Sequence, residues 1–190
     1  MEAPSRPFLM HIGDLFWQNQ ERVVMLAGLI ERGRVRKGDV VEIVGFGGTA
    51  LVAVEEIEAS RRYVDEASAG MNVGLLIRGA AAGAVERGQV LAAPGSISGH
   101  TRFAADITLL SEEHGGTEVR TGERLHFHFG TAAVAGDVTL TGGLDVLNPL
   151  HRGDVTITLE RPVALEEGQS FAFRHRGRAA GSGRVMRLLD

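Results

Sequence analysis

Short apolar runs separated by glycines and charges recur along the whole of this 190-residue chain. The clearest example spans residues 22–44, where the runs 23–30 and 40–44 are apolar but for Glu42 and the segment between them is charged and carries Gly33 and Gly38. Runs dominated by Val, Ile and Leu between turn formers are written as strands. Gly38-Asp39 suits a reversal, because glycine takes φ > 0 without steric cost and Asp tolerates turn geometry. The pattern predicts an antiparallel hairpin here, the start of a small barrel.

The same pattern predicts a first strand over residues 7–12, a turn at Gly13-Asp14 and a polar connection over 17–21. Residues 51–57 alternate as a half-buried strand, while 54–65 also admit a helical reading. Residues 72–78 and 89–92 are strand-like, and 80–85 form a small-residue loop or a single helical turn. The uncharged stretch Ala93-Pro94-Gly95-Ser96-Ile97-Ser98-Gly99 is rich in turn formers and marks a domain boundary, dividing the chain into 1–94 and 95–190. Beyond it, strands are predicted over 101–110, 124–129, 133–140, 154–159, 169–174 and 182–188, with a polar loop over 112–122. Strands at this spacing between turn signals favour closed barrels or sandwiches.

Composition sharpens this picture. Glycine, 26 of 190 residues, is about twice its typical usage, which means many tight turns and many short strands. With no cysteine in the chain, disulfides, thiolate metal sites and a cysteine nucleophile are excluded. No apolar run reaches the ~20 residues that span a bilayer as a helix, so the expected location is the cytosol. The net charge of −4 argues against gripping nucleic acid by bulk charge, and leaves room for a local basic patch.

Lys37, the only lysine, sits in Arg36-Lys37-Gly38. A phosphate loop needs glycine followed by Lys and then Ser or Thr, so this chain contains no P-loop and is not expected to be an enzyme. No G-x-S-x-G elbow supports a serine hydrolase either, since Gly181-Ser182-Gly183 lacks the spacing. His126 and His128, two apart in a strand, point to one face, and Phe127 and Phe129 point to the other. A two-histidine metal site is one reading of that pair; the plainer one makes the histidines the wet face and the phenylalanines core, with no cofactor. Arg174, Arg176 and Arg178 share a face if the strand continues through Gly177, forming either a solvated strand end or a phosphate-contacting patch. Arg61-Arg62 beside Tyr63 is a smaller candidate of the same kind.

Several phrases resemble the second domain of bacterial elongation factor Tu: Gly13-Asp14-Leu15-Phe16, Gly28-Leu29-Ile30-Glu31-Arg32-Gly33, Lys37-Gly38-Asp39-Val40, Asn72-Val73-Gly74 and Arg87-Gly88-Gln89-Val90. Others resemble its third domain: His100-Thr101, Leu110-Ser111-Glu112-Glu113, Gly115-Gly116 and Gly177-Arg178-Ala179-Ala180-Gly181-Ser182-Gly183. The resemblance implies an all-β chain of two packed six-stranded antiparallel β-barrels. It implies that Asp14, Phe16, Glu58, Arg61 and Asn72 line a pocket for the 3′ adenosine and its aminoacyl group. On the second barrel it implies T-arm contacts at His126, Arg174, Arg176, Gly177 and Arg178.

This sequence departs from the family at several of these surfaces. Gly13 and Ser60 replace a glutamate and an aromatic, Leu29 an arginine, His126 a glutamine and Gly130 an arginine, while Arg176 adds charge where glycine is usual. With no GTPase domain ahead of Pro7, the expectation is a stand-alone short paralogue, a trimmed chain being the other possibility. The expected function is a non-catalytic, translation-factor-like module that binds aminoacyl-tRNA or a related RNA. The alternative is a scaffold that docks a GTPase domain or another translation factor.

Overall fold

The structure, a computed structural model, describes residues 6–18, 20, 22–78 and 85–190. The predicted loop over 80–85 therefore lies, except for Val85, outside the described residues. The chain divides into two compact units, Met1–Ser98 and Gly99–Asp190. Among the described residues the only helical element is a 3-10 turn at Glu112–His114, and no helix is long and apolar enough to cross a membrane.

The first unit contains β1 (Leu9–His11), β2 (Asp14–Gln18), β3 (Val23–Arg32), β4 (Arg34–Arg36), β5 (Val40–Gly45), β6 (Gly48–Ala53), β7 (Glu56–Ala59), β8 (Arg62–Val64), β9 (Glu66–Ser68), β10 (Asn72–Arg78) and β11 (Val90–Ala92). Its main sheet runs β6-β5-β11-β1-β3-β10-β7-β8, with β2 also on β3, and β4 and β9 form a separate ribbon. β6 ends one side of this path and β7 lies one strand from the other side, yet only Val54 and Glu55 join them. Two residues reach only about 7 Å, so the sheet must curl until its ends approach, as a half-barrel.

Alternation explains which side of that curve is core. In β3, Val24, Leu26 and Ile30 are buried, while Met25, Ala27 and Leu29 face outward to differing degrees. The inward residues join Met10, Ile12, Ile43, Ile57, Leu75, Ile77 and Leu91 in an almost wholly aliphatic core that includes Phe8.

Three sequence expectations are corrected here. The predicted hairpin of residues 23–30 and 40–44 does not form: β3 pairs with β1, β2 and β10, whereas β5 pairs with β11 and β6. The chain bends after Arg32 at Gly33, and the charged segment forms β4, which pairs with β9. Asp14, Trp17 and Gln18 of the predicted turn and polar connection belong instead to β2, because ten-residue β3 extends past three-residue β1 and offers its N-terminal half as a second edge, while Asn19 and Glu21 lie outside the described residues. The helical reading of 54–65 gives way to the β7–β8 hairpin.

The second unit contains β12 (Ser98–Leu109), β13 (Val119–Arg120), β14 (Arg124–Phe129), β15 (Ala132–Leu140), β16 (Val146–Leu147), β17 (Arg152–Leu165), β18 (Ser170–His175) and β19 (Arg178–Leu188). Six of these close as β12-β17-β15-β14-β18-β19, and β13 pairs with β16 at the side. β13 falls inside the segment predicted as a polar loop, where a two-residue strand leaves no readable alternation. Phe103, Phe127, Phe129, Phe171 and Phe173 fill the barrel, with ring centroids 5.3–6.4 Å apart and mostly edge-on or tilted. Such contacts add about 0.5–1.5 kcal/mol per pair beyond burial. Phe127 and Phe129 are core and His126 is exposed, as alternation required.

Candidate nucleic-acid interface

On the first unit, strand register brings the predicted pocket residues other than Arg61 onto one outward face. Ala27 of β3 lies opposite Asp14 of β2 on one side and Gly74 of β10 on the other. Gly74 in turn lies opposite Glu58 of β7, and Glu58 opposite Tyr63 of β8. Residues directly opposite in a sheet share a face, so Asp14, Ala27, Gly74, Glu58 and Tyr63 form one outer row. The flanking rows hold Phe16, Met25, Leu76 and Glu56 on one side, and Leu29 and Asn72 on the other. At about 4.8 Å per strand, Asp14 and Glu58 stand roughly 14 Å apart along the sheet.

The centre of this face is apolar and its rim is polar. A methyl placed on Gly74 would lie 2.7 Å from Met25 Sδ, so the methionine lies across the glycine and would have to shift for a larger residue there. Phe16 is 54% exposed, Leu29 49% and Tyr63 68%. Burial of such surface is worth about 25 cal/mol per Å². The carboxylates of Asp14 and Glu58 can accept hydrogen bonds from an amine or a base edge, and Asn72 can both donate and accept.

Arg61 lies in the β7–β8 turn, next to the end of this row. Ala59 pairs with Arg62, leaving Ser60 and Arg61 as a two-residue connection with φ of 50° and 63°. Left-handed backbone at a non-glycine residue costs on the order of 1–3 kcal/mol. Two consecutive residues bear it here, where hairpin turns usually place Asn-Gly. Arg61 makes no ion pair among the described residues.

On the second unit the predicted arginine stripe is corrected. β18 ends at His175, Arg176 and Gly177 form the two-residue turn with φ of 53° and 80°, and β19 begins at Arg178 opposite His175. The three arginines therefore surround a hairpin tip and do not alternate along one strand, because the glycine and its neighbour turn the chain. Arg174 Nη2 donates to the Gly177 carbonyl at 2.6 Å, which keeps that guanidinium against the tip. His126 faces outward opposite Arg174.

One participant was not anticipated. His175 is buried, with Nδ1 2.9 Å from Thr117 Oγ1 and Nε2 3.1 Å from Glu123 Oε2. Glu123 Oε1 also lies 4.0 Å from Arg176 Nη2. Thr117 precedes β13 and Glu123 follows it, so these contacts hold the end of β18 against both flanks of β13. Its sequence signal was only a histidine flanked by arginines, which reads as surface.

Comparison with known families agrees with both halves. Residues 24–92 match elongation factor Tu domain 2, and residues 96–189 match the elongation factor Tu C-terminal domain. The first match falls within the first β unit, and the second covers the second unit from three residues ahead of Gly99. The chain therefore belongs to the elongation factor Tu family, through that protein's second and C-terminal domains.

Proposed function

We propose that this translation-factor-like β-barrel module acts without catalysis, binding the 3′ end and T-arm of aminoacyl-tRNA or a related RNA. The observation that carries the reading is the shared outer face of Asp14, Phe16, Glu58 and Asn72, with the Arg61 turn beside it. An apolar floor suits an aminoacyl side chain or a stacked base, and the carboxylates suit an α-amino group. On the second unit, Arg174, Arg176 and Arg178 around Gly177, with His126 beside them, suit a phosphate backbone, which arginine grips through paired N–H donors.

Fluorescence anisotropy with labelled tRNA over a salt series tests this. Binding should weaken linearly in log–log form and should favour charged over deacylated tRNA. Absence of binding at low salt, with Glu58→Ala and Arg61→Ala both silent, would remove it. One observation favours a second reading, a scaffold for a GTPase domain or another translation factor. The first unit exposes Phe16, Leu29 and Tyr63 on the outer face described above, and exposed apolar patches mark protein contacts. Capture of such a partner by a chain that ignores RNA would establish that reading.

A further inference from the structure

The histidines sort into two groups. His11 contacts Glu31 at 2.8 Å, His100 contacts Asp190 at 3.1 Å, His114 contacts Ser111 at 2.6 Å, and His175 sits between Thr117 and Glu123. His126, His128 and the exposed His151 have no such partner among the described residues, and of these three only His126 and His128 are neighbours on one strand. The two are adjacent on the same outward face of β14.

Their neighbours leave them room. His126 lies between Ala135 of β15 and Arg174 of β18, and His128 between Ala133 and Ala172. Three of the four flanking positions are alanine, so the rings stand over a hollow of about 320 Å³ lined by both histidines, Ala133, Ala135, Arg174 and Gly177. The fourth, Arg174, is drawn aside by its bond to the Gly177 carbonyl.

Residues two apart on a strand are about 6.7 Å apart at their Cα atoms, with parallel side chains. Metal–imidazole bonds are about 2.0–2.1 Å, so small χ rotations suffice for both rings to converge on one ion. Imidazole nitrogen suits zinc, nickel and copper, and not the oxygen-seeking magnesium or calcium. No group of three or more His, Cys, Asp or Glu side chains that could hold a metal occurs among the described residues. The remaining coordination positions therefore fall to water or to an anion held beside Arg174.

We propose that His126 and His128 chelate a divalent transition-metal ion on the outer face of the second barrel, with open coordination positions turned toward the hollow. The site needs no RNA, so its test is independent of the tRNA-binding reading even though His126 belongs to both. Because the first imidazole holds the ion beside the second, the pair gains an effective concentration that a lone histidine lacks.

The full chain should be titrated with Ni²⁺, Zn²⁺ and Cu²⁺ by calorimetry, alongside His126→Ala, His128→Ala and the control His151→Ala. One saturable site should appear, with either substitution weakening it by roughly tenfold or more, as loss of a chelate requires, and His151→Ala leaving it unchanged. Circular dichroism of each variant separates lost ligation from lost fold, and His126→Gln and His128→Gln supply variants that keep a polar side chain if the alanines fold poorly. Calcium and magnesium should not bind. Affinity unchanged within about twofold in both single variants, which is the signature of independent single-histidine binding, would overturn the proposal, as would the absence of a saturable site.

Discussion

The two hairpin tips that carry the candidate RNA-binding arginines share a backbone and differ in what bears its cost. The β7–β8 tip places Ser60 and Arg61 at φ of 50° and 63°, both non-glycine. The β18–β19 tip places Arg176 at 53° but gives the second position, at 80°, to Gly177. The second tip is also braced by the Arg174–Gly177 bond and by buried His175. Strain tolerated without a glycine or a brace is found where a side chain must be held in place. The comparison points to Arg61 as the residue whose position matters most on the first unit.

The cores beneath the two tips can be separated first. Phe127→Ala removes a ring at the centre of the phenylalanine cluster and should cost about 3–5 kcal/mol, seen in denaturant unfolding as loss of the second unit's transition. Exchange of the tips comes next. Ser60→Gly should raise stability by about 0.5–1 kcal/mol, because glycine removes the left-handed penalty at a modest entropic cost. Gly177→Ser should lower it by about 1 kcal/mol. Equal and same-signed effects would show that the tips are not built differently.

The smallest effect concerns Asp190, which anchors the start of β12. Burial raises its pKa, but hydrogen bonds from Thr101, through its backbone N–H and hydroxyl, and from His100 outweigh that and hold the carboxyl below its usual range. A lowered folded value means the stabilisation is complete above the unfolded pKa of about 3.9 and is lost as pH falls through the folded value. Asp190→Asn should therefore reduce stability at neutral pH slightly and flatten the acid limb of a stability–pH curve.

Much of the fold was legible because barrel strands repeat a two-residue period. The alternation of Phe127 and Phe129 with His126 and His128 fixed one face of β14 without coordinates. What escaped was pairing. Nothing local tells β3 to take β1, β2 and β10 instead of β5, since register and partner are set by the closure of the sheet. The residues of the expected pocket could be named by resemblance, but the row that links Asp14 to Glu58 runs through Ala27 and Gly74, which carry no functional signal. The arginine stripe failed because Arg176-Gly177 makes a turn, and His175 was missed because its burial depends on Thr117 and Glu123, each more than fifty residues away in sequence.

The proposed RNA binding, through Arg61 on the first unit and Arg174 on the second, is tested most directly by salt-dependent tRNA binding of Arg61→Ala and Arg174→Ala in the full chain. If each arginine neutralises a phosphate, each substitution should lower the log–log slope by about 0.7–0.9, with the double variant losing about twice that. Slopes identical to that of the unsubstituted protein in both variants would contradict it.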